Sequence, residues 1–330
     1  MLVPRLIQII FNRFPLKEYG PQQEVDINLV NKIEQHRYRL IPKTNFDNKA
    51  INANEAKCEI GCYKVFKYTV AGNKNGVESV FLPNDPICLY LLLQFCYKNN
   101  LNLATDDKNI DFSTNNNFLR FSLVELSYHA STEKQLPIMI EQFESNDNTS
   151  VTFIREYNSI KDILSNKELS TCKEKNDIFL MELLDVVLYD FFITLNCVNN
   201  DGLLVKNYVY DDNKSFNNLN LLKDSLMRRN NYYLRNGSNN TDIGCLIVNI
   251  KEVLLQFEEY MVKRNINNDG DDLNIEMKLS SYIITLLYSL EIIISNEKQS
   301  EQFIELDKFI RFECPNLVEL CNKVILSFMD

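Results

Sequence analysis

The chain has 330 residues, of which 45% are hydrophobic, so it is long enough to bury a sizeable core in one large domain or two ordinary ones. Its net charge of -10 argues against general binding to nucleic acid and against direct adsorption to anionic lipid, because both need a basic surface. Nine scattered cysteines without CxxC spacing, and only two histidines, favour reduced buried thiols and predict no metal site or other cofactor.

Residues 1–57 are predicted to be an N-terminal extension. It opens with MLVPRLIQIIFNRFPLKEYG, which is basic and apolar, and prolines interrupt any long helix there. Because a loose tail with so many apolar side chains is unfavourable, we expect this segment to pack, either on the protein itself or on a partner. A cleaved presequence is the third possibility. Phe14, Leu16 and Tyr19 are the residues predicted to dock on a partner.

An α/β unit is predicted over residues 58–168. The stretch CEIGCYKVFKYTV (58–70) alternates enough to form one strand, and residues 71–84 read as a loop. Asp85 then suits a helix N-cap and Pro86 the first helical position. The helix that follows is apolar nearly all round, so it must be covered on more than one side. Three further stretches are predicted as strands, the second of them alternatively as a connector: 101–105, 118–126 and 149–156.

A proline stands directly in front of the short apolar stretch at residues 138–140. Proline has no backbone N–H and does not fit inside a central strand, but it is tolerated at the first residue of a strand. The bond before it can there be cis, since an X–Pro bond loses most of the usual trans preference. Leu136-Pro137 therefore marks either a plain strand start or a bend into the sheet.

Helical patterns dominate from residue 169 onward. In the predicted helix over 176–198, the polar residues Glu182, Asp185 and Tyr189 share one narrow stripe with Asn196, and the remaining surface is apolar. Such a helix belongs in the centre of a bundle. Residues 199–218 are predicted to be a loop, and the longest uncharged apolar run is shorter than the roughly 20 residues that span a bilayer. The other predicted helices cover 219–234, 242–264, 274–294, 300–312 and 316–329.

An α/β unit followed by helices resembles glutathione-transferase-like proteins, in which a cis proline precedes the third strand at the position of Pro137. The chain is similar to the metaxin branch, and within it to fungal metaxin-like receptor subunits of the mitochondrial sorting and assembly machinery, the SAM complex. This implies a thioredoxin-like domain at 58–168 and an all-helical C-terminal domain at 169–330. The resemblance rests on six blocks: RFPLKEYGPQ (13–22), YKVFKYTV (63–70), DPICLYLLLQFCYKNNLNL (85–103), LPIMIE (136–141), LLDVVLYDFFITL (183–195) and LSSYIITLL (279–287).

The resemblance implies a non-enzymatic peripheral subunit on the cytosolic face of the mitochondrial outer membrane. It would recognise the C-terminal β-signal of β-barrel precursors. It would sit on the membrane-embedded barrel subunit beside a second metaxin-like subunit, so that membrane contact comes only through partners. A short amphipathic signal peptide can add to a sheet edge or lie in a groove, and the acidic surface would favour its encounter with a basic signal.

The alternative is a divergent glutathione-dependent transferase or peroxidase. Enzymes of this superfamily place Tyr, Ser or Cys at the start of the first helix, where this chain reads Asp85-Pro86-Ile87-Cys88. A carboxylate at residue 85 would repel a thiolate, and Cys88 begins an apolar helix, where burial raises the pKa of a thiol. We therefore predict that Cys88 is a packing residue and that the chain has no catalytic residues. A structural adaptor that binds only sister subunits is a third possibility.

Overall fold

The strands of the first half of the chain form one five-stranded sheet and two small two-stranded sheets in the computed structural model. The residues that the structure describes are 34–43, 57–71, 77–106, 121–144, 150–164, 175–198, 201–209, 219–229, 243–267, 273–295 and 301–329. The strands among them are β1 (Arg37–Arg39), β2 (Ile41–Pro42), β3 (Lys57–Cys62), β4 (Val65–Ala71), β5 (Val77–Pro83), β6 (Leu101–Asn102), β7 (Phe121–Glu125), β8 (Ile138–Glu144) and β9 (Ser150–Arg155).

The main sheet has the strand order β1-β7-β3-β8-β9. Strand β7 runs parallel to the central β3, whereas β8 is antiparallel to β3 and β9 is antiparallel to β8. Strand β4 forms a separate hairpin with β5, and β2 pairs with β6. The strand predicted at 149–156 is therefore confirmed as β9, and the Leu136-Pro137 bond that leads into β8 is cis, as the resemblance implied.

Three predictions in the strand region are wrong. The stretch 58–70 is not one strand, because the chain leaves β3 after Cys62 and enters the separate hairpin at Val65. The turn residues Tyr63 and Lys64 include no glycine or proline, so the local sequence does not mark the break. The loop predicted at 71–84 contains β5, and the strand predicted at 101–105 is reduced to the two residues of β6.

A substitution of Gly61 in β3 tests how tightly the sheet is packed. A Cβ atom at this position would lie 2.4 Å from Leu126 Cδ1 and 3.0 Å from Ile138 Cγ1. We expect Gly61→Ala to lower the free energy of unfolding by about 1–3 kcal/mol, measured by urea denaturation, because both side chains must shift. Gly202→Ala, at an exposed helical glycine, is the matched control and should cause no loss. Unchanged stability of Gly61→Ala would contradict this packing.

Helices make up every element that the structure describes beyond residue 156. Helix α3 (Lys175–Leu183) continues through a π-helical turn at Leu184–Leu188 into α4 (Tyr189–Ile193) and a second such turn at Thr194–Val198, in agreement with the predicted helix over 176–198. Helix α5 (Asp201–Tyr208) lies inside the loop predicted at 199–218, because its buried Leu203 and Leu204 give it a face to pack. The helices are α1 (Pro86–Asn99), α2 (Tyr157–Leu164), α3 (Lys175–Leu183), α4 (Tyr189–Ile193), α5 (Asp201–Tyr208), α6 (Leu219–Arg229), α7 (Ile243–Asn267), α8 (Leu273–Ser295), α9 (Glu301–Glu313) and α10 (Pro315–Leu326).

The helices α2–α10, which follow residue 156, are called the helical half of the protein here. Helix α8 lies at their centre, and it packs against α9, α10 and also α1. By length and composition it is apolar enough to cross a membrane, yet 78% of its most apolar stretch is buried inside the protein. The described residues of Tyr38–Asp330 form one compact unit whose core is shared by the sheets and the helices. The predicted boundaries after residues 57 and 168 stay predictions.

Candidate functional site

The start of helix α1 is the position where enzymes of the resembled superfamily act, and here it is filled by the chain itself. Asp85 accepts hydrogen bonds from the backbone N–H groups of Ile87 and Cys88 at 3.1 and 3.0 Å. Its other carboxylate oxygen accepts a bond from the Tyr208 hydroxyl at 3.2 Å, and both side chains are fully buried. The N–H groups that could hold a thiolate or another anion are therefore already satisfied.

The backbone amide before the cis proline is also occupied. Leu136 N–H donates to the Tyr63 hydroxyl at 3.0 Å, and the Tyr63 ring meets the Tyr208 ring edge to face at 4.8 Å. Burial, followed by the nearby Asp85 carboxylate, holds the pKa of Tyr208 well above its usual value, so its hydroxyl remains a donor. The two tyrosines thus close the place at which a ligand amide would dock.

Cys88 is fully buried, which agrees with a packing thiol. The neighbouring core thiols share this environment, since burial raises the pKa of Cys62 and Cys96 above the usual thiol value. Of the cysteines that the structure describes, Cys245 alone is exposed.

A cleft of about 570 Å³ lies between strand β4 and the helical half. The Phe66 ring stacks on the Tyr288 ring with centroids 3.9 Å apart, and the Tyr68 hydroxyl donates to Asn322 Oδ1 at 3.1 Å. These contacts tie the strand to α8 and α10 while leaving the cleft open beside them. The lining residues are Phe66, Lys67, Tyr68, Thr69, Lys206, Ile284, Leu287, Tyr288, Glu291, Ile292, Ser295, Arg311, Val318 and Asn322.

The charged side chains that line this cleft are mainly basic, although the whole chain has a net charge of -10. Lys67, Lys206 and Arg311 face one acidic residue, Glu291. Lys67 pairs with Asp106, and Arg311 pairs with the acid one helical turn before it at 3.0 Å. The charged residues that line the cleft therefore differ in sign from the chain as a whole, and two of the three basic ones are paired with acids outside the lining.

Strand β9 is a second exposed feature. Among the described residues it pairs on one side only, with β8, and Val151, Phe153 and Ile154 are all exposed, Ile154 to 57%. Phe153 meets Phe143 of β8 edge to face at 5.7 Å. Natural proteins usually shorten, charge or cover such an edge, so an apolar one is a candidate contact surface.

Of the predicted site residues, the structure describes Pro137 only. Phe14, Leu16 and Tyr19 lie outside the described residues, so their docking role stays a prediction. Pro137 has the predicted cis bond.

The cleft was missed by the sequence analysis, because it depends on contacts such as Tyr68–Asn322, which join residues 254 positions apart. The strand pattern of 63–70 was visible, but no local signal shows which helix a strand faces.

The chain is similar to known proteins at the level of a family model and of a curated relative. A family model described as SAM35, subunit of the SAM complex, matches residues 1–141. The Sorting assembly machinery 35 kDa subunit of Saccharomyces cerevisiae (strain ATCC 204508 / S288c) is 25% identical over 361 aligned positions, which cover 99% of this chain and 98% of the yeast protein. The alignment therefore extends through the helical half as well as the sheets. The chain is thus similar to SAM35, a subunit of the SAM complex, over residues 1–141 and to the yeast 35 kDa subunit over nearly its whole length.

Proposed function

We propose that this protein is a non-enzymatic peripheral subunit of the mitochondrial SAM complex that recognises the β-signal of β-barrel precursors before their insertion into the outer membrane. The observation that carries the proposal is the end-to-end similarity to a 35 kDa subunit of the sorting assembly machinery. We place the protein on the cytosolic face, where precursors arrive. Its partners are the membrane-embedded barrel subunit, a second metaxin-like subunit and the signal itself.

The strand arrangement supports a glutathione-transferase-like architecture. Strands β7, β3, β8 and β9 lie side by side, the third strand in sequence is led by Pro137, and α1 is buried on nearly all sides. We infer a thioredoxin-like domain at 58–168 and an all-helical domain at 169–330, with residues 1–57 as an N-terminal extension. Strands β1 and β2 precede residue 58, so part of this extension joins the sheets.

The closed start of α1 favours a receptor over a glutathione-dependent transferase or peroxidase. A bound glutathione would have to displace the Tyr63 hydroxyl from Leu136 N–H and compete with the Asp85 carboxylate. Both groups are buried, so opening the site would leave polar atoms without partners. The chain therefore retains the superfamily's architecture and uses its ligand position for internal packing.

The test combines partner capture with signal crosslinking. An epitope-tagged chain in fungal mitochondria is expected to co-purify with the barrel subunit and to crosslink to a precursor that carries a photo-reactive residue in its β-signal. A precursor with a scrambled signal is the control and should not crosslink. Absence of both results would overturn the proposal. Retention on immobilised glutathione, with turnover that Cys88→Ser abolishes, would instead establish the enzyme.

A further inference from the structure

We propose that the cleft beside β4 binds an extended peptide as a third strand of the β4–β5 hairpin, and that its occupant is the β-signal. This inference rests on the proposed function and assigns a location to it. The cleft volume of about 570 Å³ falls within the roughly 300–1,000 Å³ typical of ligand sites. The arrangement has three parts: an outward strand edge, an apolar helical wall and a charged rim.

The pairing of the hairpin determines which backbone groups of β4 face away from β5. Asn84 N–H donates to Lys64 O at 3.0 Å, and in an antiparallel pair hydrogen-bonded and non-bonded positions alternate. The backbone groups of Val65, Lys67 and Thr69 therefore point outward. Two hydrogen bonds agree with this alternation. Val65 N–H points away from β5 and donates to a Glu125 carboxylate oxygen at 2.7 Å. On the other strand, Phe81 N–H points away from β4 and donates to Ala104 O at 2.9 Å.

Lys67 and Thr69 form the usable edge. Both line the cleft, and they lie two residues apart, the spacing at which an added strand forms its hydrogen bonds. In the part of the chain that the structure describes, β4 pairs with β5 alone. The outward amide of Val65 is already bonded to Glu125, so the open edge begins at Lys67.

The side chains of β4 alternate between the helices and solvent. Phe66 and Tyr68 contact α8 and α10, whereas Lys67 and Thr69 are exposed. A strand added along this edge would continue the alternation, with every second side chain against the helices and the others in water. The cleft therefore selects an amphipathic extended segment. Its apolar wall consists of Ile284, Leu287, Ile292 and Val318.

The charges of the rim refine the choice of ligand. Lys206 and Arg311 suit a carboxylate, which a signal at the end of a precursor chain brings with it, and Glu291 suits a basic side chain. The edge of β9 provides apolar side chains but no facing helical wall among the described residues. A strand bound there would be held by its backbone without selection of its side chains, so the cleft is the better site for a specific signal.

The test uses a fluorescein-labelled synthetic peptide of the last strand of a β-barrel precursor, with fluorescence anisotropy as the readout. Thr69→Pro removes the outward N–H of the edge while leaving the bonds to β5, since proline is tolerated where an edge-strand N–H faces outward. We expect Thr69→Pro to weaken binding by about tenfold or more, because an outward hydrogen bond is lost and the ring obstructs pairing. Thr69→Val keeps the N–H and the branched shape, and should bind like the parent chain.

The outcomes separate the two proposals. If the parent chain does not prefer the signal peptide over its scrambled version, the proposed function fails. If the parent chain prefers it and Thr69→Pro binds equally well, the function stands and the cleft assignment fails. Loss of binding in Val151→Ser with Phe153→Ser, alongside normal binding by Thr69→Pro, would move the site to β9.

Hydrogen exchange supplies a readout that does not depend on how the proline variant folds. Saturating signal peptide should slow exchange of the Lys67 and Thr69 amides of the parent chain, because both would enter strand hydrogen bonds. The amides of Phe66 and Tyr68, already bonded to β5, are the internal control and should change less. Unchanged exchange at Lys67 and Thr69 under saturating peptide would overturn the cleft assignment.

Discussion

Replacing Glu258 with alanine should lower the free energy of unfolding by about 2–4 kcal/mol, measured by urea denaturation followed by circular dichroism. Helix α10 begins at Pro315, and its N-cap residue Cys314 provides no side-chain cap. Glu258 of α7 supplies one from a distance, since its carboxylate accepts bonds from the backbone N–H groups of Asn316 and Leu317, both at 3.0 Å. Alanine leaves these donors without partners and removes a negative charge from the positive end of the helix dipole.

The matched control is the next residue on the same helix. Glu259→Ala also removes one glutamate and one negative charge, but this side chain is exposed and pairs with Lys263 on the surface, so the melting temperature should stay unchanged. The stability of Glu258→Gln should lie between the stabilities of these two alanine variants. Its amide keeps one oxygen acceptor but places an N–H donor opposite the other backbone N–H. Equal stability of Glu258→Ala and Glu259→Ala would show that α10 is not capped in this way.

Loss of the Asp85 side chain should destabilise the protein by a similar amount. Asp85→Ala removes the N-cap of α1 and leaves the buried Tyr208 hydroxyl without its acceptor, for an expected cost of about 2–4 kcal/mol in the free energy of unfolding. Asp85→Asn keeps an oxygen for the cap and can donate an amide hydrogen to the hydroxyl, so it should retain most of the stability.

A double-mutant cycle separates the two contributions of Asp85. Tyr208→Phe removes only the hydroxyl and should cost about 1 kcal/mol. If the bond between the two side chains is as described, the double variant should lose less stability than the sum of the single variants. Strict additivity, measured by urea denaturation, would mean that Asp85 acts through the helix cap alone.

The helical half could be predicted closely because its signals are local. Pro86 stands at the first position of a helix, as the sequence analysis placed it, and the apolar pattern of α8 ran the whole length of that helix. Helix α5 was missed because its short apolar stretch, which follows Gly202, is enclosed by asparagine and aspartate. The burial of Leu203 and Leu204 stabilises this helix, although the composition around it is typical of a loop.

The strand region was harder to predict because strand identity depends on partners elsewhere in the chain. The apolar alternation of 58–70 crosses the turn at Tyr63 without interruption, although β3 and β4 belong to different sheets. The candidate sites show the same limit. The cap at Asp85 and the burial of Cys88 followed from neighbouring residues, whereas the bond between Leu136 and the Tyr63 hydroxyl spans 73 positions and left no local trace.

The burial of α8 creates a competition during synthesis. Before the rest of the helical half has been made and wrapped around it, this helix presents the length and the apolarity of a membrane anchor, and a nearby bilayer can compete with the unfinished core for it. Because α9 and α10 follow α8 in the chain, the competition ends only after both of these helices have been translated. If the protein acts at a membrane surface as proposed, α8 must be enclosed by its neighbouring helices before the chain reaches that surface.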